Sequence, residues 1–279
     1  MDALPDAAYV YMVRCTGGQL YTGWTNHPAA RLKAHQSGKG ARYTRAHGAE
    51  GFAYLERCAD RCAALRREAA LKKLTKAQKE TLCAEWAEKN LPRLSLATRA
   101  DAAEILDIYN WYVLHHTATF QVTPSSLPEY EDWVDSTRAL IPLLLARDGD
   151  GKLLGYVCAH RYHPREAYDW AVESTIYCAP DARGFGVGDT LYRALLDILD
   201  GMGYWNVYAL VADPNPASER IHARLGFTCV GREPHTAYKF GWLGLSTWWL
   251  PLRRGNEKPE PTHPLTQEQV KKILGRYQA

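Results

Sequence analysis

Glu173 to Leu195 reads E-S-T-I-Y-C-A-P-D-A-R-G-F-G-V-G-D-T-L-Y-R-A-L. Ser174 to Cys178 is a buried-strand run that breaks at Pro180. The turn Arg183-Gly184-Phe185-Gly186-Val187-Gly188 follows, and Leu191, Leu195, Ile198 and Leu199 then recur at helical spacing. A strand, a glycine-rich turn and a helix start together make a pyrophosphate cradle. Main-chain N–H groups with no side chain in the way converge on one anion, and the helix dipole favours its charge. The spacing is Arg-x-x-Gly-x-Gly. It is not the dinucleotide G-x-G-x-x-G, and no Walker Lys-Ser/Thr follows. Taken alone, such glycines more often mark a tightly packed corner.

Around this corner, strands and helices are expected to alternate. Leu94 to Thr98 is read as a strand, and Arg99 to His116 and Leu127 to Leu140 as helices. Pro142 to Arg147 and Lys152 to Tyr162 pair as a hairpin across Asp148-Gly149-Asp150-Gly151. Ala171 to Cys178 is the strand of the cradle and Gly186 to Gly203 its helix. Trp205 to Ala212 is a strand and Pro216 to Leu225 a helix, and Phe227 to Arg232 and Leu245 to Leu250 close the sheet. Gly255 to Pro264 is Pro-rich and expected to be mobile. Thr266 and Gln269 have the spacing of a capping box for a last short helix.

Residues 1–90 read differently. Tyr9 to Cys15 and Leu20 to Trp24 form a hairpin across Gly17-Gly18. Pro28 to Ser37 is a helix, Phe52 to Arg57 a third strand, and Asp60 to Lys73 a second helix with Ala63, Leu65, Ala69, Ala70 and Leu71 inward. Thr75 caps a third helix, Lys76 to Lys89. The expected domains are 1–86 and 94–254, joined by a linker at 87–93 and followed by a tail at 255–279.

A length of 279 residues suits two domains. No apolar run reaches membrane-spanning length, and Met1 to Ala8 lacks the pattern of a signal peptide. The 7 cysteines have neither disulfide-framework nor zinc spacing, so reduced thiols in a cytoplasm are expected. Residues 1–90 hold 15 Lys and Arg against 9 Asp and Glu, or +6, and the remainder holds 19 against 22, or −3. The basic first part points to a polyanionic partner.

The cradle, Tyr168 to Thr175 (Y-D-W-A-V-E-S-T) and Glu219 to Phe227 (E-R-I-H-A-R-L-G-F) together resemble the phosphinothricin N-acetyltransferase branch of the GNAT acetyltransferases. The resemblance implies an α/β domain with a central mixed, twisted sheet flanked by helices, binding acetyl-CoA. The coenzyme would lie on Ile176, Tyr177 and Cys178, on Arg183, Gly184, Phe185, Gly186, Val187, Gly188 and Asp189, and on Asn215 and Ser218. Glu173, a carboxylate costly to bury on an apolar strand unless used, is the candidate base. His222 is the candidate acid or base partner, although a lone helical His is more often simply packed. Phe120, Arg165, Tyr168 and Lys239 are the candidate acceptor contacts, with Arg165 suited to grip a carboxylate. The family's Trp-x-Asp after Tyr238-Lys239-Phe240-Gly241 is Trp242-Leu243-Gly244 here, so the acceptor's identity stays open.

In the basic part, Tyr9-Val10-Tyr11 stands ten residues from Tyr21-Thr22-Gly23. Arg31-Leu32-x-x-His35, Gly38 to Thr44 (G-K-G-A-R-Y-T) and Arg66 to Leu74 follow. The set resembles the GIY-YIG nucleases of the small single-domain branch, implying an α+β domain with a three-stranded sheet. Glu68 would then be the lone protein ligand to Mg²⁺. Arg31 would neutralise the scissile phosphate. Tyr11, Tyr21, His35 and Tyr43 would surround the attacking water, with either a tyrosinate or the His as base. Lys39, Arg42, Arg45, Lys72 and Lys73 would meet phosphates.

The expected function is acetyl transfer from acetyl-CoA to the amine of a small amino-acid-like substrate such as phosphinothricin or methionine sulfoximine, fused to a nucleic-acid-binding or -cleaving domain. The alternative is a DNA endonuclease or docking protein with an accessory protein- or peptide-acetylating part. Pairing of the chain with itself stays open.

Overall fold

The computed structural model describes residues 8–182 and 186–277. Arg183, Gly184 and Phe185 of the cradle lie outside them. The chain divides into two compact units, Met1–Leu91 and Pro92–Ala279.

The first unit is a three-stranded antiparallel sheet in the order β2-β1-β3, with β1 at Ala8–Arg14, β2 at Leu20–Thr25 and β3 at Gly51–Cys58. The central β1 carries no charge from Ala8 to Val13 because both its faces are covered. Val10 and Met12 pack with Ala64, Leu71 and Cys83, while Tyr11 and Val13 pack with Leu55. Among the described residues four helices complete the unit: α1 at Pro28–Gln36, α2 at Arg42–His47, α3 at Arg61–Lys73 and α4 at Lys76–Asn90. Helix α3 turns Leu71 and, in part, Ala63 inward as expected, but the rest of its buried face differs. Ala64 and Leu71, seven apart, are buried, whereas Leu65, Ala69 and Ala70 are exposed. That rotation brings Arg67 onto Glu56 of β3, at 2.7 Å. Helix α2 has no apolar period to announce it, since only Thr44 is buried. The capping box of Thr75 and Gln78 starts α4, and Pro92 stands just beyond its end.

The second unit is a seven-stranded sheet in the order β4-β5-β6-β7-β8-β10-β9. Its strands are β4 (Arg93–Leu96), β5 (Leu144–Arg147), β6 (Leu153–Arg161), β7 (Ala171–Cys178), β8 (Asn206–Asp213), β9 (Thr228–Tyr238) and β10 (Trp242–Pro251). Helices α5 (Ala102–His115), α6 (Leu127–Leu140), α7 (Val187–Gly201), α8 (Pro216–Arg224) and α9 (Gln267–Gly275) accompany it. Every pairing is antiparallel except β7 with β8. Alternate residues of β7 face opposite sides. Tyr177 meets Tyr109 and Tyr112 of α5, while Ser174 meets Tyr192 of α7. Helices α5 and α7 therefore cover opposite faces.

The Pro-rich tail is held, contrary to expectation. Trp170 donates its indole N–H to the Glu260 carbonyl at 2.7 Å, and the His263 N–H bonds Met202 O at 3.0 Å. The Thr266–Gln269 capping box starts α9, whose Val270, Ile273 and Leu274 join the main core. An amphipathic last helix thus anchors a segment whose composition alone reads as loose. Among the described residues no helix is long and apolar enough to cross a membrane.

Leu274→Ala should lower the stability of the second unit by about 2–4 kcal/mol. The denaturant midpoint reads this out, and an unchanged midpoint would mean that α9 adds nothing to the core.

Candidate active sites

In the first unit, Tyr11 lies at the centre of the sheet, where its ring crosses toward β2 above Gly23. A Cβ at position 23 would stand 2.6 Å from the Tyr11 hydroxyl, so only glycine fits. Gly40 is required for the same reason, because a Cβ there would meet the His35 main chain at 2.8 Å. With both rings admitted, the hydrogens assign themselves. The Thr44 hydroxyl donates to Ala41 O at 3.0 Å, and so accepts from His35 Nδ1 at 2.7 Å. That leaves His35 Nε2 bare to accept the Tyr11 O–H at 2.8 Å, and Tyr11 in turn accepts from Arg31 Nε at 2.9 Å. Burial, and then the nearby Arg31, push the His35 pKa down to about 4, so the ring is neutral near pH 7. Burial raises the Tyr11 pKa, and Arg31 opposes that rise.

Tyr21 packs 5.1 Å from His35. Tyr43 stands outside this hydrogen-bonded set. It is 42% exposed and stacks on His47. Glu68 of α3 pairs with Lys72 at 2.8 Å, and its charge is felt by Tyr11. Among the described residues no three His, Cys, Asp or Glu gather into a metal cage. One hard carboxylate fits Mg²⁺, which keeps most of its waters, and does not fit zinc.

In the second unit the deciding feature is a fork. Strands β7 and β8 pair only over Ala171–Glu173 and Asn206–Tyr208, and the ladder then ends, although both strands run on. Ser174 stands at the point of parting and donates to Tyr208 O at 3.0 Å. Beyond it come Ile176, Tyr177 and Cys178. The Tyr177 ring belongs to the core, and its main chain is in register with Tyr156 of β6. Tyr112 of α5 donates to Cys178 O at 2.7 Å.

Helix α7 starts beside β7. Gly186 precedes it in the left-handed region, φ +84°, and among the described residues no side chain caps its first N–H groups. A Cβ on Gly188 would meet Ile221 at 3.1 Å and Cys178 Sγ at 3.5 Å, so this glycine lets α7 approach α8 and β7 closely. The Asp189 carboxylate is taken by Arg193 and Arg224, at 2.7 and 3.0 Å. Asn215 caps α8 through the Ser218 N–H at 3.2 Å.

The structure separates the two expected proton carriers. Glu173 lies on the face of β7 shared with Tyr177, and His160 Nε2 is 3.6 Å away. His222 lies on the α7 face and is 3% exposed. Its Nδ1 donates to Ser218 O at 2.8 Å, and its Nε2 meets the Tyr192 hydroxyl at 3.0 Å. Tyr192 meets Ser174 Oγ at 2.5 Å. Four contacts thus run from Ser218 O to Tyr208 O, but a neutral ring and two hydroxyls supply three hydrogens. The chain has room for one more proton, against which burial lowers the His222 pKa. Tyr192 had no sequence signal, and Ser174 had only its place in the strand.

On the acceptor side, Tyr162 and Tyr208 stack at 4.1 Å, a pair that sequence reading missed. Tyr168 leans edge-on toward Tyr162, and Arg165 is exposed. Phe120 sits in the loop between α5 and α6. Lys239 is 4% exposed and donates to Tyr112 O and Thr119 O at 3.2 and 2.9 Å. It thereby ties the β9–β10 turn, where Phe240 has φ +56°, to that loop.

Residues 105–227 match the profile of the Acetyltransferase (GNAT) family, and residues 7–81 that of the GIY-YIG catalytic domain. The phosphinothricin N-acetyltransferase of Streptomyces viridochromogenes is 35% identical over 170 residues, which cover 61% of this chain and 90% of that one. The chain belongs to the GNAT acetyltransferase family. The L-methionine sulfoximine/L-methionine sulfone acetyltransferase of Pseudomonas aeruginosa is 37% identical, over 55% of this GNAT protein and 90% of its own length. A phosphinothricin acetyltransferase from Sinorhizobium meliloti, solved with AcCoA, superposes with a TM-score of 0.59 at 32% identity, over 61% of this chain and 93% of that one. This GNAT enzyme is thus an acyltransferase that also carries a GIY-YIG domain.

Because folded His35 holds its proton less tightly than unfolded His35, stability is full above pH 6.5 and is lost as pH falls toward 4. Thermal melts across that window should show the first unit's midpoint falling with pH. His35→Gln should flatten the dependence, and an equal slope in both proteins would show that another group carries it.

Proposed function

We propose that the second unit transfers acetyl from acetyl-CoA to the amine of a small amino-acid-like substrate of the phosphinothricin or methionine sulfoximine type. The observation that carries this reading is the fork between β7 and β8 beside the uncapped start of α7. Beyond Glu173 the β7 edge at Ile176, Tyr177 and Cys178 no longer runs in a ladder with β8, and that edge suits the amide-bearing arm of the coenzyme. The N–H groups at Gly186 to Asp189 suit its diphosphate, with Asn215 and Ser218 nearby in the chain's α8 start. Arg183, Gly184 and Phe185 complete the cradle on sequence grounds.

Acetyl transfer needs a neutral amine, and Glu173 is suited to take its proton on the acceptor face. Arg165 and Tyr168 flank that face and suit the substrate's carboxylate. Lys239 acts on the acceptor through the loop that bears Phe120. His222 exchanges protons with the fork only through Tyr192 and Ser174. The names of the relatives support the substrate class.

For the first unit we propose binding and hydrolysis of a nucleic-acid phosphodiester. Glu68 would hold Mg²⁺ once Lys72 lets go, and the ion would supply charge neutralisation at the phosphate. Tyr11, held between His35 and Arg31, would position the attacking water, with either a tyrosinate or His35 as its base. Tyr21 packs the ring side of this pair. Lys39, Arg42 and Arg45 supply positive charge for the backbone. The free thiols support a cytoplasmic setting. The exposed Val230, Tyr238, Phe240 and Trp242 of the β9–β10 hairpin suit pairing with a second copy.

Purified protein should release CoA thiol from acetyl-CoA when given phosphinothricin or methionine sulfoximine. Glu173→Gln should cut kcat/KM by about 10²–10⁴-fold. No thiol release with either amine would sink the substrate assignment. Tyr192→Phe and His222→Asn should each lower kcat about tenfold, with the double variant no worse than either; additive losses would separate the two residues. Single-stranded and branched DNA should be cut with Mg²⁺ and left intact by Glu68→Ala, and cutting by that variant would remove Glu68 from the site.

A further inference from the structure

The nuclease reading of the first unit leaves one feature unused, and it narrows the substrate. From it we propose that Tyr43 and His47 form a stacking platform for an unpaired base, so that the favoured ligand is single-stranded or locally opened nucleic acid. A ladder of rings leads outward from the buried centre. His35 and Tyr21 stand 5.1 Å apart, Tyr21 and Tyr43 stack at 6.3 Å and 23°, and Tyr43 and His47 stack at 4.4 Å and 19°. The inner rings are packed, whereas Tyr43 and His47 are exposed.

Folding does not require those outer rings, because Thr44 is the one buried residue of α2. Thr44 nonetheless fixes the helix to the site, through its bond to His35 at 2.7 Å. His47 is fixed as well, since its Nδ1 donates to Tyr43 O at 2.9 Å. Two flat rings are thus held in solvent at a set place, with Tyr21 between them and Tyr11. A rigid platform loses little entropy when it takes a ligand. Arg42 and Arg45 lie on the same helix and Lys39 just before it. All three are exposed, and none makes an ion pair among the described residues. Flat rings flanked by unpaired cations suit a base and its phosphates together. A duplex keeps its bases stacked on one another and offers such rings no face, so the platform discriminates between the two forms.

The test uses the full chain carrying Glu68→Gln, without metal, so that binding is read without cutting. The ligands are a short single strand containing 2-aminopurine and a duplex of matched length. The parent should bind both and change the 2-aminopurine emission. Adding Tyr43→Ala and His47→Ala should weaken single-strand binding about tenfold or more, abolish the emission change and leave duplex binding unaltered. Tyr43→Trp should retain the single-strand preference. Equal weakening toward both ligands, or none toward the single strand, overturns the platform while leaving the nuclease reading intact. Failure of the parent to bind either ligand overturns both.

Discussion

A strand that loses one neighbour part-way along its length is left with main-chain donors and acceptors that something else must satisfy. In this protein β7 is such a strand. Its ladder with β8 stops after Glu173, and the rest of the second unit is arranged around the gap. Ser174 closes the apex by bonding the Tyr208 carbonyl. Gly188 lets α7 come close enough for its start to open beside the gap. A parallel pair in an otherwise antiparallel sheet is what makes the gap possible, because two strands running the same way can diverge without a turn joining their ends.

The first unit solves a different problem, that of keeping a buried phenol and a buried imidazole in fixed protonation states. It does so with a hydrogen-bond chain in which each donor has one acceptor, from Arg31 through Tyr11 and His35 to Thr44 and Ala41 O. Two glycines make the room, and the close packing they permit orients the chain. The chain around His222 is built otherwise. It ends on carbonyls at both sides, so it has more contacts than hydrogens when the ring is neutral. The first arrangement holds a proton in place, and the second has space to receive one.

Charge follows the same division. Lys239 is buried on carbonyls, with the Phe240 ring 5.5 Å from its ammonium, an arrangement that stiffens a loop. Glu173 keeps a half-open setting beside His160. The carboxylate is left partly open to solvent, whereas the ammonium is sealed among carbonyls and acts by position.

The sequence by itself determined both families, most strand and helix positions, the Thr75 cap of α4 and the capping box of α9, because period, turn residues and caps act over a few neighbours. It also picked out Tyr11, His35 and Arg31, whose spacing along one strand and one helix turn reflects local geometry. Only the tertiary structure decided which face of α3 is buried, that α2 exists, and that the Pro-rich tail is pinned, since each depends on partners far away in the chain. It alone put Glu173 and His222 on opposite faces of the sheet and brought in Tyr192, Thr44 and the Tyr162–Tyr208 stack. Alternation along β7 was legible from the start, but which side each helix would cover was not. That side is set by how the chain crosses over between strands, and no run of neighbouring residues records it.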